Sequence, residues 1–293
     1  MLKERTVDTG AVTINYAEGP ISGRPLVLLH GGGDRWQHFL PIIPSLAMRW
    51  QVFALDLRGH GKSGRVPGQY RPEHYVDDVV AFLERQFAGR AIVFGHSLGG
   101  WIALLAAAQQ MEKVEALILG DPPLNLDRFV ATESSKERVD MWRTIRRLAG
   151  SGLSVPELAS KLVDLPMSGA AEGAPSRYGD LPGVDSARCR AWAKTLSQAD
   201  PGAAQYHAEG RLDEYVEKVD LLGAVRETTC PVLLLQGDPS RGGVVLDEDV
   251  EPVLEMLTDG VHVRLEGKGH NLGLSSWEVT PLLRAVTSFL ESL

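Results

Sequence analysis

Val93-Phe94-Gly95-His96-Ser97-Leu98-Gly99-Gly100-Trp101 is the stretch on which the reading of this 293-residue chain turns. An apolar run, 91–94, leads into Gly-x-Ser-x-Gly, and the motif passes at once into Ile102-Ala103-Leu104-Leu105-Ala106-Ala107-Ala108, a segment of high helix propensity. The predicted order is therefore strand, sharp turn, helix. Such a turn forces the serine into a strained backbone conformation with its hydroxyl projecting at the sheet's edge, while Gly95 and Gly99 leave room for neighbouring backbone. Ser97 is accordingly the candidate nucleophile. The competing reading is a glycine-rich turn that closes a Rossmann-like strand, and in a chain with 31 glycines the motif alone is permissive.

The segments on either side carry the same alternation. Residues 3–18 place Val12, Ile14 and Tyr16 on one face and turn at Gly10, which predicts an antiparallel hairpin. Pro25-Leu26-Val27-Leu28-Leu29 is too short for a helix and suits a strand covered on both faces. It ends at His30-Gly31-Gly32-Gly33, where an amide, that of Gly32, is placed to meet a developing oxyanion together with the amide of Leu98 directly after the nucleophile. Helix is expected over 36–48, strand over 51–55, helix from Pro72 through Phe87, and strand over 114–120, ending at Asp121. In the loop after the 51–55 strand, Asp56, Arg58 and Ser63 read as groups that hold a turn. Strand and helix in this alternation predict a mostly parallel sheet with catalytic groups gathered at the strands' carboxyl ends.

Between about residues 123 and 227 strand-like runs vanish. Helices are expected over 127–148, 155–165, 186–199 and 212–225, with a mobile small-residue and proline stretch over 166–175. This segment reads as a helical lid inserted into a core formed by 1–122 and 228–293. Trp142, Trp192 and Tyr206 are candidates for the substrate pocket and equally for lid core. The sheet resumes at 231–236, followed by helix 247–257, strand 261–265 and a closing amphipathic helix over 276–293.

Composition narrows the class. With 44% hydrophobic and 23% charged residues the chain is an ordinary globular one, and its net charge of −8 argues against nucleic-acid binding through phosphate neutralisation. No secretory apolar core and no run of membrane-spanning length occur, so a cytoplasmic location without membrane partner is the expectation. Cys189 and Cys230 lack metal or redox spacing and read as apolar fillers. Neither a metal nor a cofactor is expected.

His30-Gly31-Gly32-Gly33, Asp56-Leu57-Arg58-Gly59-His60-Gly61-Lys62-Ser63, Gly95-His96-Ser97-Leu98-Gly99-Gly100 and Gly267-Lys268-Gly269-His270 stand in an order that resembles α/β-hydrolase fold proteins over 1–122 and 228–293. The resemblance implies an eight-stranded, mostly parallel sheet with helices on both faces, and a nucleophile, acid, histidine triad. His270 would take the Ser97 proton and return it to the leaving group. The acid is expected at Asp238, after the strand ending at Gly237; the family's usual position three residues on holds Ser240 here. Asp121 matches an alternative acid position of the family, and Asp247 and Glu248 are further candidates. His96 is expected to pack beside the nucleophile, and His60, His74, His207 and His262 to be surface or turn residues.

The implied activity is cleavage of a carboxylic ester of a small acyl substrate through a covalent acyl-enzyme. Lactone, amide, carbamate or carbon–carbon hydrolysis and acyl transfer are alternatives on the same triad, and a receptor that has lost turnover is a third class. Family members that place Asp at the nucleophile position work by another route, which Ser97 excludes. Asn271 after the histidine, and Asp34 after the three glycines, differ from the residues usual in carbon–carbon hydrolases and proline iminopeptidases.

Overall fold

The computed structural model describes residues 2–165, 177–181 and 184–293. Strands β1 (Lys3–Asp8) and β2 (Thr13–Glu18) form the expected hairpin, with Gly10 in the left-handed region at φ 94° where a side chain would be strained. The remaining strands are β3 (Pro25–Leu29), β4 (Gln51–Leu55), β5 (Ala91–His96), β6 (Val114–Gly120), β7 (Val232–Gly237) and β8 (Gly260–Leu265). They lie in the order β1-β2-β4-β3-β5-β6-β7-β8, antiparallel as far as the β2–β4 pair and parallel from there on. Every residue of β5 and β7 is buried, because helices cover both faces of a parallel sheet and leave no polar side to alternate with.

Of the helices, α1 (Ile43–Leu46) lies on one face, and α2 (Pro72–Gln86) and α3 (Leu98–Gln109) on the other. Pro72 opens α2 with its fixed φ, and Tyr75, Val76, Val79, Phe82 and Leu83 turn inward at helical spacing. The same face carries Asp78, whose buried carboxylate takes both Nε and Nη2 of Arg58, at 2.6 and 2.7 Å. Asp56 accepts from the amides of Trp36 and Lys62 and from the Asn15 side chain, and the Ser63 hydroxyl donates to the Asp56 carbonyl. Asp56 and Ser63 hold the turn as the sequence predicts, whereas Arg58 commits its guanidinium chiefly to Asp78.

After β6 the chain leaves the sheet and returns at β7. The helices between are α4 (Leu126–Glu133), α5 (Lys136–Ala149), α6 (Val155–Val163), α7 (Ser186–Leu196), α8 (Gln205–Glu209), α9 (Leu212–Val216) and α10 (Leu221–Glu227). A small apolar core of their own, including Leu158, Leu162, Cys189 and Leu196, ties α5, α6 and α7 together. The expected 127–148 helix breaks at Ser134 and Ser135, residues that favour caps over helix interiors. The expected 212–225 helix breaks before Asp220, whose side chain caps α10 by accepting from the Gly223 amide. Helix α8 went unpredicted; it is one short turn stopped by Gly210 in the left-handed conformation. The 166–175 stretch lies outside the described residues.

Two further helices, α11 (Asp247–Met256) and α12 (Thr280–Ser292), complete the core. Helix α12 starts later than 276 because Trp277 has φ 61° and Pro281 sits in the first turn, where it fits best. The expected 36–48 helix is instead a 3-10 turn, Trp36–Phe39, followed by α1. Cys189 and Cys230 are buried and free. No described helix is long and apolar enough to cross a membrane.

Candidate active site

Ser97 sits between β5 and α3 at φ 54° and ψ −120°, a conformation that costs a non-glycine residue on the order of 1–3 kcal/mol and must be enforced by its surroundings. The enforcement is visible in the flanking glycines. A Cβ on Gly95 would lie 1.9 Å from the Gly99 carbonyl oxygen, and one on Gly99 would lie 2.1 Å from that of Leu29. Backbone therefore crosses backbone at both positions, and only glycine fits. Leu98 is the first residue of α3, so its amide has no intrahelical carbonyl to meet and lies at the positive end of the helix dipole.

His270, in the loop after β8, reaches back across the sheet's carboxyl end. Its Nε2 is 2.9 Å from Ser97 Oγ, and its Nδ1 is 2.8 Å from Asp121 Oδ2. Asp121 directly follows β6, the neighbour of β5, with φ 46° and no exposed surface. Besides His270 its carboxylate accepts the amides of Gly237, Val244 and Val245 at 2.9, 2.9 and 3.2 Å. Burial pushes this carboxyl up, but the His270 bond and the amides outweigh burial and hold it below the ordinary value. Gly237 lets the carboxylate in: a Cβ there would stand 3.0 Å from Asp121 Oδ2.

The expectation of Asp238 as the acid is therefore corrected. Its carboxylate turns away from His270, accepting the Ser240 amide and hydroxyl on one oxygen and the Gly267 amide on the other. It ties the β7 turn to the β8 turn. Asp247 is engaged by Gln236 and Arg264, and Glu248 by Arg128, so neither meets His270.

Histidines surround the glycine loop after β3. His60, expected at the surface or in a turn, lies in the turn after β4 and is buried: its Nε2 accepts the Gly33 amide and its Nδ1 donates to the Arg58 carbonyl. His30 accepts the Leu57 amide and donates to the Gly31 carbonyl, so both rings latch the loop that carries Gly32. His96 packs behind His270, ring centroids 4.9 Å apart, and its Nε2 donates to the His270 carbonyl at 2.8 Å. Burial, reinforced by His270 and His38, presses its pKa down to about 3 and keeps it neutral.

Ser97, His270, Gly32 and Leu98 border a cavity of about 460 Å³, within the range of small-molecule sites. Trp101, Phe129 and Trp142 give its wall aromatic surface, Trp101 packing edge-on against Phe129. Of the three predicted pocket residues only Trp142 lines it. Trp192 packs on Tyr178 within the inserted helices' own core, and Tyr206 packs on Tyr215 beneath Arg211. His207, Tyr75 and Tyr215 also line the cavity and escaped the sequence reading, which had His207 among surface or turn residues. Among the described residues there is no cluster of metal-ligating side chains.

A sequence model described as the alpha/beta hydrolase family matches residues 26–280. A 2-(acetamidomethylene)succinate hydrolase of Mesorhizobium japonicum is 28% identical over 292 residues, 98% of this chain and 95% of that protein. The crystal structure of an E-2-(acetamidomethylene)succinate hydrolase superposes with a TM-score of 0.72 at 26% identity, over 99% of this chain and all of the other. That of a thermophilic esterase from Thermogutta terrifontis gives 0.71 at 20% identity, over 99% and 98%, a likeness of fold alone.

Proposed function

This chain belongs to the alpha/beta hydrolase family, and on that premise we propose that it is a serine hydrolase cleaving an acyl bond of a small, largely apolar substrate through a covalent acyl-enzyme. The observation that carries the reading is the hydrogen-bonded line from Ser97 Oγ through His270 to Asp121, at 2.9 and 2.8 Å. Asp121 holds the imidazole with its proton on Nδ1, which leaves the Nε2 lone pair facing the hydroxyl. Ser97 attacks the carbonyl as Nε2 takes its proton; the same proton then passes to the leaving group, and water repeats the sequence on the acyl-enzyme. The amides of Gly32 and Leu98 are the oxyanion donors in this reading, one such donor being commonly worth about 3–4 kcal/mol of barrier. The helices between β6 and β7 act as the lid, supplying Phe129 and Trp142 to the cavity wall.

An ester is the first substrate class. An N-acyl bond is the second, favoured by the acetamido group in the name of the relative that matches almost end to end. Hydrolysis of p-nitrophenyl acetate and butyrate by the wild type and by Ser97→Ala tests the reading: turnover in the first and none above background in the second is expected. A wild type without burst or turnover on esters and on N-acyl enamines favours the receptor class instead.

A further inference from the structure

Three hydrogen-bonding side chains in the cavity wall have no partner within the protein among the described residues. His207 on α8 lies among aromatic rings, 4.7 Å from Trp142, 5.2 Å from Tyr215 and 6.2 Å from Phe129 between centroids. Its Nδ1 is buried and unbonded, so a proton there would be an N–H without an acceptor. The proton therefore sits on Nε2, the nitrogen left to face the cavity. Burial presses the ring's pKa to about 4 and leaves this donor uncharged. The hydroxyls of Tyr215 on α9 and Tyr75 on α2 make no hydrogen bond either, although the two side chains are only 3% and 1% exposed and both border the cavity.

Several other polar groups of the wall are engaged within the protein. Trp101 Nε1 donates to the Pro123 carbonyl, Trp142 Nε1 to Glu133, Arg138 to the same Glu133, and Arg128 to Glu248 and Asp249. Arg138 keeps one buried Nε without a partner, and the three neutral donors stand together in one arm. Buried donors in native structures find acceptors, and these three side chains border the cavity, from which one can come. The cations that act on them are each paired with a carboxylate: Arg58, near Tyr75, is locked on Asp78, and Arg138, near His207, on Glu133. A carboxylate would lose its hydration there without a counter-charge, whereas a carbonyl or ether oxygen would not.

We propose that the arm bounded by Tyr75, His207 and Tyr215 binds an uncharged hydrogen-bond acceptor borne on an aromatic or alicyclic part of the substrate, the three side chains being specificity-determining donors. The proposal rests on the acyl-hydrolase reading only for where the scissile bond lies. Its test is a set of p-nitrophenyl esters of 3-phenylpropanoic acid carrying hydrogen, acetyl or carboxylate at the ring's para position. In the wild type, kcat/KM for the acetyl ester exceeds that of both others about tenfold, the size of one well-placed neutral hydrogen bond. In His207→Phe, and separately in Tyr215→Phe, the acetyl-to-hydrogen ratio falls toward one. Equal rates for the three esters, preference for the carboxylate, or a ratio unchanged in both variants overturns it. A second measurement separates the two readings: calorimetric binding of the matching acetyl-bearing and unsubstituted propanamides to Ser97→Ala. About tenfold tighter binding of the acetyl compound, with no ester turned over by the wild type, sinks the hydrolase reading and leaves this one standing; turnover without preference in either assay sinks this one alone.

Discussion

Replacing Asp121 by Asn changes one atom, and the structure dictates which way the new amide must point. Oδ1 receives two backbone amides, from Gly237 and Val245, and Oδ2 receives one, from Val244, together with His270 Nδ1. An NH2 group in the first position would face two fixed N–H donors; in the second it faces one, plus an imidazole that can change tautomer. The variant therefore settles with NH2 toward His270, which responds by accepting at Nδ1 and carrying its proton on Nε2. That ring cannot take the Ser97 proton. A wrong-tautomer histidine costs about ten-thousandfold in kcat in triads of this kind, or about 5.4 kcal/mol of barrier. One opposed backbone donor costs a further ~1–3 kcal/mol of stability. The assay is kcat on p-nitrophenyl butyrate for Asp121→Asn and Asp238→Asn, with folding checked by circular dichroism and thermal melting. Asp238→Asn should stay within about tenfold of the wild type, since its carboxylate serves the turns at Ser240 and Gly267. The reasoning is refuted if Asp238→Asn loses a thousandfold or more while Asp121→Asn keeps a tenth of the activity.

Asp78→Ala strands the Arg58 guanidinium, 1% exposed, without its counter-charge, and should cost about 3–5 kcal/mol in urea unfolding; a loss under 1 kcal/mol would contradict the buried-pair account. Gly99→Ala drives a methyl to 2.1 Å from the Leu29 carbonyl oxygen and should yield little folded protein, whereas Gly33→Ala, with open space around its Cβ but a φ of 77°, should fold at a modest cost; soluble yield and melting curves compare them. Burial holds His38, His96 and His207 at about 4, 3 and 4, so at pH 5 they are neutral when folded and protonated when unfolded. Asp34, raised by burial to about 6, works the other way, and unfolding should take up a net of about two protons from these four groups near pH 5. Stability is then complete above pH 6.5 and falls as the pH drops toward 4; a melting temperature level from pH 7.5 to 5 would contradict this.

The sheet was readable because each strand announces itself by composition: β3, β5 and β7 are apolar runs too short for helices, and the glycines at their ends mark where backbone crosses backbone. Ser97 and His270 were readable for the same reason, being held by turns whose glycines show in the sequence. The acid was not. Asp121 and Asp238 both follow a buried strand, and the choice between them was made by Val244 and Val245, whose amides fold back onto Asp121; no pattern in that segment declares it. His207 was missed because its role depends on Trp142, Phe129 and Tyr215 converging from three helices, a tertiary coincidence that spacing along the chain does not record. The breaks in the inserted helices were legible in part, since Asp220 and the Ser134-Ser135 pair are capping residues that the apolar periodicity overrode.

Rapid-quench mass spectrometry of the wild type with p-nitrophenyl butyrate, followed by peptide mapping, addresses the nucleophile itself. A butyryl group accumulating within the first turnovers on the peptide that contains Ser97, and absent from Ser97→Ala, is the predicted result. Steady hydrolysis with no acylated peptide, or acylation mapped to another residue, would contradict the central claim.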